Sequence, residues 1–142
     1  MTKRRNGLGR MLTRAQIRED AAQRALADRT RASEASRATL GEREAQLRAA
    51  TERHTETSDA AAFQRNRVAL AAGAQAVDDA TEAMELAMEE VRVAQRQLLD
   101  QARERKTLER LDDSDRAILA VLASKATQRS LDDLANRRRA VS

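Results

Sequence analysis

The chain contains no proline, cysteine, tryptophan or tyrosine, and only one phenylalanine, one histidine and four glycines among 142 residues. Without proline, nothing in the backbone obliges a helix to stop. Without cysteine there is no disulfide framework and no thiolate metal site, and a single histidine adds too little for a transition-metal cluster. Large apolar side chains are also scarce: Leu, Val, Ile and Phe make up 24 residues, so the 41% hydrophobic total is mostly Ala. A thick hydrophobic core is excluded. No run approaches the roughly 20 apolar residues of a membrane span. The basic opening, with Lys3, Arg4, Arg5, Arg10, Arg14 and Arg18, is not followed by the apolar stretch of a secretory signal. What the chain does have is charge of both signs, 27 basic against 23 acidic residues, so the strong imbalance that accompanies disorder is missing. Ala, Arg, Glu, Gln and Leu all favour helix. The composition predicts an all-α, coiled-coil protein of the cytoplasm, whose thin seam needs only small apolar side chains.

Periodicity is strongest in the second half. Leu70, Val77, Met84, Val91 and Leu98 recur every seven residues, and Gly73, Ala80, Ala87 and Ala94 follow at an offset of three. That is a coiled-coil seam with one consistently small position, which lets a partner helix approach closely. The apolar pattern breaks at Arg105 and resumes with Leu108, Leu111, Ile118 and Leu122, as an inserted stutter would make it. In the first half Leu12, Leu26, Leu40 and Leu47 share one register, interrupted by Glu19 and Ser33, with Leu8, Ala15, Ala22 and Ala50 on the companion position.

Between the halves lies Thr55-Glu56-Thr57-Ser58-Asp59, rich in short side chains that compete with helical hydrogen bonds and cap the next helix. The expected fold is a long two-helix antiparallel coiled-coil hairpin spanning residues 1–142. Helix one runs over about 8–57, the tip over 57–62 and helix two over 62–138. Paired positions in such a hairpin have a constant sum of residue numbers. A sum of 117 joins Leu47 to Leu70 with the tip between Ser58 and Asp59; a sum of 124 joins Leu47 to Val77 and Glu19 to Arg105 with the tip near 62. Both satisfy the pattern. A turn at Gly73 matches fewer apolar positions, so that glycine is read as a site of close packing, at a cost of about 1 kcal/mol in helix propensity.

Helix two is the longer of the pair, so its C-terminal third overhangs. The overhang, roughly 114–139, carries Ile118, Leu119, Val121, Leu122, Leu131 and Leu134, more apolar surface than a solvated helix should show, and points to a binding partner. Charge is segregated too. Asp78, Asp79, Glu82, Glu85, Glu89 and Glu90 fall between Arg67 and Arg92 without an intervening base, while both chain ends are basic, with Arg137, Arg138 and Arg139 at the second. Such a pole favours an acidic protein surface, a nucleic acid or an anionic membrane.

Catalytic chemistry finds no residues to carry it. The carboxylate pairs Asp78-Asp79 and Asp112-Asp113 diverge by about 100° on a helix and lack an apolar pocket to raise a pKa. Gly7-Leu8-Gly9 lacks the strand and the Lys-Ser/Thr of a phosphate loop. No catalytic residue, metal ligand or cofactor is assigned. His54 falls on the helix-one register and is read as a seam or surface residue. Phe63, the one aromatic ring, is either a staple of the tip or a partner anchor, since aromatic side chains are enriched at binding hot spots.

Two windows resemble a known family. The first, Leu12-Thr13-Arg14-Ala15-Gln16-Ile17-Arg18-Glu19-Asp20-Ala21-Ala22-Gln23-Arg24-Ala25-Leu26-Ala27, is similar to the opening helix of the FliJ family of flagellar type III export proteins, which has YscO-like relatives in injectisomes. The second runs from Ala102-Arg103-Glu104-Arg105 to the apolar-acid-acid-apolar-Ala pattern of Leu131-Asp132-Asp133-Leu134-Ala135. The resemblance implies a non-enzymatic stalk, monomeric by itself, at the cytoplasmic face of the inner-membrane export apparatus. Its implied partners are a hexameric export ATPase, the membrane export gate protein and export chaperones. Leu119, Leu122, Leu131, Leu134, Arg137 and Arg138 are the implied contacts to the ATPase ring, and Phe63 the implied contact to the gate. The alternatives are a basic-ended coiled-coil spacer and a nucleic-acid-binding coiled coil. The second is disfavoured by the net charge of only +4, the acidic waist and the absence of stacking aromatics.

Overall fold

The computed structural model describes residues 2–57 and 59–141, with side chains from Asn6 onward. Two helices account for nearly all of them: α1, Thr2–Thr55, and α2, Ala60–Val141. α1 begins earlier than the expected residue 8 and ends just short of 57, and α2 extends beyond 62 and 138 at both ends, because nothing in the flanking sequence breaks a helix. The protein is all-α, and its residues pack as two units, a central one of Asp20–Leu99 and a terminal one of Met1–Glu19 with Asp100–Ser142.

In the central unit α1 and α2 run antiparallel across a short connection, Glu56–Asp59. The last turn of α1 holds Arg53 and His54, a basic pair that suits the negative end of the helix dipole. The Thr57 hydroxyl donates to the Arg53 carbonyl at 2.7 Å and accepts from the Asn66 side-chain amide at 2.9 Å, tying the connection to both helices. Asp59 caps α2: its Oδ1 accepts from the Ala61 N–H at 3.2 Å, and its carbonyl accepts the Phe63 N–H at 2.8 Å. Residue 62 therefore lies inside α2 and is not the tip. The alternative tip, between Ser58 and Asp59, involves a residue outside the described ones.

The seam of this unit follows the periodicity. Along α2 the half-buried positions include Leu70, Gly73, Val77, Met84, Val91 and Leu98, and Ala80, Ala87 and Ala94 are buried outright. At Leu47 the register matches neither expected sum, whereas the ion pair of Glu19 with Arg105 is the one that the sum of 124 joins. A Cβ built on Gly73 would stand 3.2 Å from Leu47 Cδ1, so Leu47 meets Gly73, and the pair sums to 120. The same register sets Leu40 opposite Ala80, Ser33 opposite Ala87 and Leu26 opposite Ala94. Large side chains of α1 thus face the small positions of α2, which is the arrangement that fills a narrow interhelical space with no void. Matching large with large, as both sequence sums did, would force the helices apart. Ser33, an apparent interruption, is buried with only 7% of its surface exposed, because its layer holds two small residues. Arg29 Nη1 and Glu90 Oε2, 3.1 Å apart, bridge the helices at the edge of the seam.

In the terminal unit the seam continues in the same frame. Gln101, Arg105, Leu108, Asp112, Asp115 and Leu119 of α2 are covered or half-covered, while Leu111, Ile118 and Leu122 are about half exposed. The expected stutter at Arg105 does not occur. Arg105 occupies a seam position because Glu19, on the α1 seam, receives its guanidinium, and Glu109 one turn along α2 receives it as well. Ala15 and Leu108 are the buried residues beside this network, and Arg18 adds a bridge to Glu104 at 3.2 Å. From residue 120 to 141 every described residue is exposed.

Threonines that would otherwise disfavour a helix interior are accommodated locally. Thr13, Thr30, Thr39, Thr51, Thr81, Thr107 and Thr127 each donate a hydroxyl to the carbonyl four residues back.

Candidate functional site

The six C-terminal candidates all lie in the terminal unit, on a stretch of α2 with every condition for a long uncovered helix. Leu119 is half-buried and ends the seam. Leu122 is 46% exposed, and Leu131 and Leu134 are each 56% exposed. The four leucines do not make one stripe. Leu119 and Leu122 are neighbours three residues apart, as are Leu131 and Leu134, but nine residues separate Leu122 from Leu131 and turn it by about 180° around the helix. Ile118 and Val121, 51% and 53% exposed, extend the first pair's side of the helix. Arg137 and Arg138 follow Leu134 by three and four residues and so flank the second face. Leu122 and Leu131 thus point to opposite sides, while Leu119 and Leu134 diverge by only about 60°, so apolar side chains are spread around much of the helix.

Phe63 belongs to the central unit. Its ring packs on His54, with centroids 4.5 Å apart and planes inclined by 38°, and 44% of the residue remains exposed. It is a staple across the connection with one face still open. A shallow groove of about 330 Å3 beside it is lined by Thr57, Asp59, Ala60 and Gln64.

Sequence periodicity did not reveal a second concave surface, in the terminal unit. A groove of about 690 Å3 is lined by Asn6, Gly9, Arg10, Leu12, Thr13 and Arg14 of α1 with Asp112 and Arg116 of α2. Asp112, its side chain only 14% exposed, pairs with Arg116 at 3.0 Å. The available signal was the spacing of Arg10 and Arg14, one turn apart, next to a glycine. It was hidden among many arginines.

The seam cation Arg105 has its charge fixed by its partners. Hydrogen bonding to Glu19, and then to Glu109, raises the Arg105 guanidinium further above its ordinary range. It stays cationic at every pH at which the protein would be studied. Carboxylates elsewhere line helix surfaces, and among the described residues no three His, Asp or Glu converge on a possible metal position.

With the helices, the seam and the uncovered segment in place, comparison with protein families decides the identity. The model described as flagellar FliJ protein matches residues 5–142. The chain belongs to the FliJ family. Neither the curated proteins nor the solved structures contain a match. The match extends over both windows of the resemblance and over both units, and it carries a role in flagellar export for this FliJ protein. FliJ proteins are non-catalytic components of that process, in keeping with a molecule built from two helices and a thin seam. No helix among the described residues is long and apolar enough to cross a membrane.

Proposed function

We propose that this FliJ protein is a stalk-like component of the flagellar export apparatus that binds the hexameric export ATPase and couples it to the export gate and to substrate chaperones. It acts in the cytoplasm at the inner membrane and is monomeric when alone. The observation that carries the reading is the opposition of Leu122 and Leu131 around an otherwise uncovered helix. One flat partner would satisfy one face and leave the other in water, whereas a partner that encloses the helix, as the pore of a ring does, buries both. A helical element without six-fold symmetry inside a six-fold ring touches the subunits unequally. It therefore biases their nucleotide states through contact free energy, with no bond made or broken in the stalk. Leu119, Leu122, Leu131, Leu134, Arg137 and Arg138 are the proposed ring contacts, and the open face of Phe63 the proposed gate contact.

The test is the ATPase rate of the cognate export ATPase titrated with the wild-type chain, Leu122→Asp, Leu131→Asp and Val91→Asp. Both exposed-leucine variants keep wild-type helicity by circular dichroism and lose a saturating stimulation that the wild type shows. Val91→Asp, in the central seam, loses helicity first. A wild-type chain that leaves the rate unchanged overturns the reading.

A further inference from the structure

The start of α1 rests on α2 through a contact unlike the one deeper in the same unit. At Arg18 and Glu19 the two helices are tied together, by ion pairs to Glu104 and Arg105. Ala15 and Leu108 are buried beside these ties. From Ile17 back to Asn6, no hydrogen bond or ion pair joins the described side chains to α2. What this stretch covers instead is a carboxylate. Asp112 has only 14% of its side chain exposed, and its partner, Arg116 at 3.0 Å, belongs to its own helix. Covering that pair strips water from it and adds no bond between the helices, so the closed contact carries a desolvation penalty that opening relieves. Two grooves also run along the contact and admit water. One of about 690 Å3 lies between Thr13 and Asp112, and one of about 240 Å3 between Met11 and Leu111, both of which are about half exposed. The segment is a weak helix besides. It holds two of the chain's four glycines, Gly7 and Gly9, and nothing stands within 4 Å of where a Cβ would be on either, so packing does not call for glycine there as it does at Gly73. Each weakens the helix relative to alanine.

We infer that the first turns of α1, up to Arg14, form a strap that releases α2 as one unit, with its hinge at the Ala15 layer and its anchor at the Arg18 and Glu19 ion pairs. In the open state Asp112 and Arg116 keep their pair in water, and Leu108 and Leu119 lose the cover of α1. The bare part of α2 then begins at about residue 109 instead of at 120. Few buried apolar contacts and an absence of cross-helix bonds are the features that place a segment at the low-stability end of a fold. A partner that encloses α2 gains about three further turns of helix to hold. That consequence rests on the stalk reading; the opening itself does not, and it is measured on the chain alone.

The experiment is native-state hydrogen exchange of the full chain, read amide by amide by NMR and expressed as protection factors. In the wild type, amides 8–14 are protected about tenfold or more less than amides 22–40, at values close to one another, with a step between residues 15 and 19. Asp112→Ala, which removes the covered carboxylate without adding volume, raises protection over 8–14 by about threefold or more. Gly7→Ala combined with Gly9→Ala raises it by about tenfold or more. Both variants leave amides 22–40 within about twofold of the wild type. All three replacements introduce the strongest helix former, so the fold is retained. Equal protection over 8–14 and 22–40 overturns the inference. So does protection that climbs residue by residue past Glu19 without a step, which is ordinary fraying of a helix end, and so does a failure of amides 8–14 to respond to Asp112→Ala.

Discussion

Gly73 shows how much a single side chain can say about this seam. A methyl placed there would stand 3.2 Å from Leu47 Cδ1, the mobile end of a half-buried leucine. The equivalent positions Ala80, Ala87 and Ala94 already carry that methyl within the same register. Gly73→Ala is therefore accommodated by a small shift of Leu47 and stabilises the protein by up to about 1 kcal/mol through helix propensity; a thermal melt monitored by circular dichroism at 222 nm reads the rise. The Glu19 and Arg105 pair behaves in the opposite sense. Each is covered because the other is present, so replacing one alone strands a charge in the seam, and Glu19→Leu or Arg105→Leu lowers the melting temperature. Replacing both by leucine restores a continuous apolar seam and raises it above that of the wild type, since apolar packing commonly exceeds the net value of a desolvated ion pair. A double variant less stable than either single one would show that the pair contributes more than its desolvation costs.

At the scale of elements, the turn and the seam rest on different physics. The turn depends on caps: Asp59 begins α2 and Thr57 links it to Arg53 and Asn66. Asp59→Ala removes one acceptor from the first turn and costs about 1 kcal/mol, measurable as a shift in the urea midpoint at unchanged slope. The seam depends on volume. Ala87 is 8% exposed and shares its layer with Ser33, so Ala87→Leu overfills a space made for two small side chains and costs about 1 to 3 kcal/mol. Unchanged stability of that variant would mean that the helices can separate locally at no cost, contrary to the close approach at Gly73. Apolar periodicity made the central seam legible, down to its small position at Ala80, Ala87 and Ala94. In the terminal unit the same rule failed. Arg105, Asp112 and Asp115 occupy the seam, whereas Leu111, Ile118 and Leu122 lie outside it. Hydrophobic pattern cannot register a polar residue whose partner is supplied by another helix.

For the whole molecule, 27 basic and 23 acidic residues leave a formal net charge of +4, yet the informative quantity is where cations remain uncommitted. Basic ends were apparent from the first eighteen residues and from Arg137 to Arg139. Which of the basic residues would be paired was not, because it depends on the carboxylates that the other helix presents: Glu104 for Arg18 and Glu19 for Arg105. The C-terminal candidates were legible as excess apolar surface. The opposition of Leu122 to Leu131 follows from spacing alone, nine residues, once the segment is helical throughout.

The sequence by itself determined the class and the family of this protein. Absence of proline and aromatics, abundance of strong helix formers and a seven-residue repeat admit only long helices with a thin seam, and the family match extends over residues 5–142. Tertiary structure alone decided the register. Heptad repeats are compatible with several offsets, and the choice falls to the steric fit of Leu47 against Gly73 and to the reach of Arg105 for Glu19. Both are contacts between residues far apart in the chain, whose energies depend on shapes and charges that meet only after the helices pack.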